Sequence, residues 1–78
     1  MNEQEASEHL EQLIGIPRSF QLMRIYQRAG TRVRNLAGNP WATYTPTHEE
    51  EFRSMAENAN MPSDAITHYL THIARSTP

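Results

Sequence analysis

His68 and His72 stand one helical turn apart, the i, i+4 spacing by which a helix offers two imidazoles to a single metal ion. Two ligands make only a weak site. A third would have to come from His48, His9 or a glutamate brought near by folding, because the chain has no cysteine. The expectation is therefore no metal and no cofactor, with His68 and His72 as exposed polar residues. No glycine-rich phosphate loop, nucleophile motif or telling carboxylate pair occurs, and 78 residues leave little room for a preorganised pocket, so an enzyme is not expected. What stands out is electrostatic. Arg24, Arg28 and Arg32 recur every four residues and would form a stripe along one side of a helix, suited to phosphates or carboxylates. The plainer alternative is a solvated face paired with the glutamates that open the chain.

The charge is strongly segregated along the sequence. Residues 1–17 carry four glutamates and no base, 18–40 carry five arginines and no acid, and 41–66 carry five acids against Arg53; the whole sums to −2. Every base is arginine, whose planar fork pairs with carboxylate or phosphate through two parallel bonds. Such blocks allow an acidic and a basic segment to pair within the fold or between two copies, or leave a basic face for an acidic partner. No apolar run is long enough for a membrane span and no secretory leader opens the chain, so a soluble, cytoplasmic protein is expected. A single domain of this size lies where burial barely offsets the entropy of ordering, and self-association would help it.

Four helices must position these groups, near residues 3–14, 17–37, 47–59 and 63–75, in an all-α domain. Asn2 with Glu5 three residues on has the form of a helix start, and Ala6, Leu10, Leu13 and Ile14 make the first apolar face. Gly15, Ile16 and Pro17 form a stop and a restart. The second helix carries Leu22, Tyr26, Ala29, Val33 and Leu36 at alternating spacings of four and three, a heptad seam through which a homodimer is expected. Phe20, Met23 and Ile25 widen its apolar surface. Gly30 is its weak point, and Thr31 would cap a separate piece if the helix broke there; one helix, with a kink allowed, is the preferred reading. Gly38, Asn39 and Pro40 end it. The connector to Pro46 should fold back, with Trp41 as a core anchor. Thr47 and Glu50 form a capping box for the third helix, whose core residues are Phe52 and Met55. Ile66, Leu70 and Ile73 complete the core from the fourth.

The segment from Phe52 to Leu70 carries the strongest functional pattern. Phe52, Met55, Ala56 and Ala59 mark one helical face, and Ile66, Tyr69, Leu70 and Ile73 repeat the spacing after an interruption. Between them Ala56 permits a close crossing, Asn60 suits a position of positive φ, Met61 can plug the corner, and Pro62 presets the next helix, with Ser63 or Asn60 as its cap. On Ala56, Asn60, Met61, Pro62, Ile66 and Leu70 this stretch resembles the helix-turn-helix of bacterial transcription regulators. Asn60 stands where the usual pattern has glycine, and the second helix has a single arginine, Arg75.

The resemblance implies a small, dimeric regulator of duplex DNA, with Ser63, Asp64, Thr67, His68 and Thr71 outward for base edges and arginines on phosphates. The alternative is a helical interaction module, an inhibitor or adaptor of the phage or plasmid kind, whose Arg24, Arg28, Arg32 stripe or apolar seam docks on a protein partner. Plain helix-corner packing gives the same pattern without DNA.

Overall fold

The structure, a computed structural model, describes residues 1–74. The chain forms α1 (Glu3–Ile14), α2 (Ile16–Ala37), α3 (His48–Asn58) and α4 (Ser63–His68), and α4 runs on into a π-helical turn, Tyr69–Ile73. No strand occurs among the described residues. Local chemistry sets the boundaries. The Asn2 side chain accepts the Glu5 N–H at 2.8 Å and so caps α1. Gly15, at φ 85°, donates its N–H to the Glu11 carbonyl at 2.7 Å and turns the chain into α2. Thr47 and Glu50 close a reciprocal capping box at 3.1 and 3.2 Å. The last π turn is closed by the Ala74 N–H on the Tyr69 carbonyl, five residues back.

α2 is the central element. α3 packs along it in the most extensive interface of the fold, while α1 covers another side and also reaches α4 and the π turn. The core joins Leu10 and Ile14 of α1, Leu22, Ile25 and Ala29 of α2, Phe52 and Ala56 of α3, and Met61, Ala65, Ile66 and Tyr69 beyond the corner. Tyr26 meets the Phe52 ring edge-on at 5.1 Å, and Tyr69 lies 5.3 Å from both rings. Of the heptad face, Leu22 and Ala29 are fully buried inside the monomer, whereas Tyr26, Val33 and Leu36 are covered only in part.

Two expected core residues lie outside. Leu13 is 42 % exposed, because the buried stripe of α1 is the single row Ala6, Leu10, Ile14, too narrow to include it. Trp41 is 87 % exposed. The Asn39 side chain accepts the Trp41 N–H at 3.0 Å and the Asn39 carbonyl accepts the Ala42 N–H at 3.1 Å, a tight turn that leaves the indole in solvent. The connector buries Pro46 instead, and Tyr44 is exposed as well. Tyr26, Val33, Leu36, Met55, Leu70 and Ile73 are half-buried. For Val33 and Leu36 the reason is length, since α2 has 22 residues against 11 in α3.

Gly30 does not break α2; it makes room. The His48 imidazole lies over it, stacked on the Tyr26 ring at 4.0 Å, with Nε2 2.7 Å from the Tyr26 carbonyl. A carbonyl only accepts, so Nε2 carries the proton. A Cβ built on Gly30 would stand 2.8 Å from Cε1 and 3.0 Å from Nε2 of His48. Gly30→Ala is therefore expected to destabilise by about 1–2 kcal/mol, the lost hydrogen bond and stacking outweighing the roughly 1 kcal/mol gained in helix propensity. In the His48→Ala background the same change should stabilise. Urea unfolding of the four proteins of this cycle gives the sign.

Tyr69 supplies a pH dependence. Burial, and to a lesser degree the neighbouring Tyr26, push its phenol up to about 12. The folded state thus holds the proton more tightly than the unfolded chain. The resulting stabilisation is complete below the ordinary phenol value and disappears as pH rises from about 10 through 12. Tyr69→Phe should flatten that alkaline loss in thermal melts while leaving the neutral region nearly unchanged.

Candidate interaction surfaces

The corner between α3 and α4 is built as its residue types require. Asn60 adopts φ 63°, Ala56 is fully buried at the crossing, and Met61 is buried with its N–H on the Ala56 carbonyl at 3.0 Å. From α2, Arg18 Nη2 donates to the Asn60 carbonyl at 2.7 Å and ties the corner down. Pro62 occupies the cap position of α4, so neither Asn60 nor Ser63 caps the helix with a side chain.

α4 turns Ser63, Asp64 and Thr67 to solvent, and the π turn adds Thr71. With His9 and Leu13 of α1, three of them, Asp64, Thr67 and Thr71, border a shallow depression of about 380 Å³. No arginine lines it. His68, expected on the outward face, is instead buried, and its Nε2 donates to the Ala6 carbonyl of α1 at 2.8 Å. Its ring lies 4.6 Å from that of His9 and 5.0 Å from that of His72. It joins two helices, and with His72 it lines the floor side of the same depression rather than standing out from it. Among the described residues no group of three or more histidines and carboxylates is placed to hold a metal ion. Arg75 lies outside the described residues.

The arginine stripe lies elsewhere, on the flank of α2 that faces α3. Two adjoining depressions of about 630 and 610 Å³ share Arg24, Arg28 and Met55 and form one groove between these helices. Its apolar lining comes from Phe20, Ile25, Leu36, Met55 and Ala59. Arg32 is spent on Glu51 of α3, at 2.8 Å, and not on the glutamates of α1. Arg24 and Arg28 form no ion pair among the described residues. None of the residues lining the α4 depression lines this groove, so the arginines and the outward threonines make two separate surfaces. The sequence marks the arginines and the extra apolar width at Phe20 and Ile25. It does not mark Met55 and Ala59 as the opposite wall, which follows from how α3 lies on α2.

No family model, curated protein or solved structure matches the chain.

Proposed function

We propose that this protein is a small helical interaction module that binds a protein partner along the α2–α3 groove, the partner presenting an amphipathic surface with carboxylates. The observation that carries the reading is the pair Arg24 and Arg28, left without ion pairs on one rim of a groove lined with apolar side chains. Apolar contacts supply affinity and the charged rim supplies orientation and partner choice. A cytoplasmic setting goes with this reading, since the chain has no cysteine and no described helix is long and apolar enough to cross a membrane.

A second reading keeps the chain as a helix-turn-helix regulator of duplex DNA, and the corner at Ala56, Asn60 and Met61 favours it. Against it stand the burial of His68, the exposed Asp64 on α4, and the acidic α1 alongside. Two double variants separate the readings. Proteins captured from extract by the wild type should be lost with Arg24→Glu/Arg28→Glu and kept with Thr67→Ala/Thr71→Ala. Duplex binding at low salt that is lost with the threonine pair, and that weakens steeply as salt rises, would instead support the regulator.

A further inference from the structure

The chain carries an acidic surface of its own. α1 exposes Glu3, Glu5 and Glu8, and no arginine among the described residues pairs with them. Of the five arginines in residues 18–40, Arg18 is committed to the Asn60 carbonyl, Arg32 to Glu51 and Arg34 to the Thr31 hydroxyl. That leaves Arg24 and Arg28, opposite in charge to Glu5 and Glu8 of α1, whose carboxylates hold only exposed hydrogen bonds from Asn2 and Gln4 at 3.1 and 3.4 Å. Glu5 and Glu8 are about 4.5 Å apart along their helix axis and Arg24 and Arg28 about 6 Å along theirs, a mismatch well within the reach of arginine side chains. Beside the groove, the α1–α2 corner leaves Leu13 and Ile16 exposed at 42 and 57 %, and Phe20 in the groove itself is 57 % exposed. A chain this short gains from covering them.

We infer that the groove is occupied by α1 and the α1–α2 corner of a second copy of this chain: Glu5 and Glu8 pair with Arg24 and Arg28, and Leu13 and Ile16 pack on the apolar wall around Phe20 and Met55. The contact is made twice, once in each direction, and closes a symmetric dimer. This rests on the groove being the binding surface and names what fills it.

Sedimentation velocity at low salt, over a concentration series into the sub-millimolar range, tests it. The wild type should form a dimer whose dissociation constant rises with salt. Arg24→Glu/Arg28→Glu and Glu5→Arg/Glu8→Arg should each weaken self-association by about a hundred-fold, because both contacts then oppose like charges. Mixing the two variants should restore a dimer, since in the heterodimer both contacts are again complementary. Circular dichroism on each variant shows that it is folded, and the salt dependence of the wild type needs no variant at all. A wild type that stays monomeric throughout, a dimer indifferent to salt, or variants that fail to rescue one another would overturn the inference. If the wild type is monomeric while its captured proteins still depend on Arg24 and Arg28, the occupant is wrong and the groove reading stands; if that dependence is lost too, both fall.

Discussion

Phe52→Ala is expected to abolish cooperative folding. The ring is fully buried and lies within about 5 Å of both tyrosines of the core, at 5.1 and 5.3 Å. Truncating a buried phenylalanine costs about 3–5 kcal/mol in lost transfer energy and residual cavity. A core in this size range stabilises by roughly 3–5 kcal/mol in total, so the substitution consumes nearly all of it. Far-UV circular dichroism should show reduced helicity, and urea should give a broad slope in place of a transition. Phe52→Leu, which keeps most of the volume, should cost about 1–2 kcal/mol and retain the transition. A cooperative Phe52→Ala protein within about 1 kcal/mol of the wild type would mean that α3 does not sit on α2 as described.

The second large effect is at His68. His68→Ala removes a buried ring and the hydrogen bond from Nε2 to the Ala6 carbonyl, and should destabilise by about 2–3 kcal/mol. The loss should be local before it is global: amides of α1 should exchange faster than those of α2 and α3, since the imidazole joins α4 to α1. His68→Phe should recover most of the packing, because the Ala6 carbonyl still has its partner within the helix. A base-reading histidine would give the opposite pattern, no change in stability and a change in sequence preference. Unchanged exchange in α1 after His68→Ala would count against its structural role.

Three of the four helices are legible from their ends, because the signals there are local. Asn2 with Glu5, Gly15 before Pro17, and Thr47 with Glu50 act within a few residues, and each forms the contact its type implies. Asn60 is legible for the same reason: its positive φ is a property of one residue. What the sequence conceals depends on distant partners. Whether His68 faces water or α1 is decided by where α1 docks, and the π turn that begins at Tyr69 further shifts the helical period on which an outward face would be drawn. Leu13 is misread because a four-residue apolar face suggests a broad contact, whereas α1 meets its neighbours along one row. Trp41 is misread because a large ring is assumed to be buried, and the Asn39 turn overrides that tendency. Gly30 looks like a defect until His48, eighteen positions away in sequence, is placed over it.

The surfaces divide in the same way between local and distant causes. Arg24, Arg28 and Arg32 are visibly a stripe, but which of them remains available depends on Glu51, a residue of another helix. The outward threonines of α4 and the π turn and the arginines of α2 are both legible as sets, and their separation onto two surfaces is not.

Site-specific photo-crosslinking tests that separation most directly. A photoreactive side chain placed at Gln27, in the arginine groove, is compared with one at Thr67, on the α4 face, each in the otherwise unaltered chain in cells. Irradiation should give protein adducts from Gln27, a second copy of the chain among them, and none above background from Thr67. Nucleic-acid adducts from Thr67, with Gln27 silent, would contradict the groove reading and place function on the helix corner.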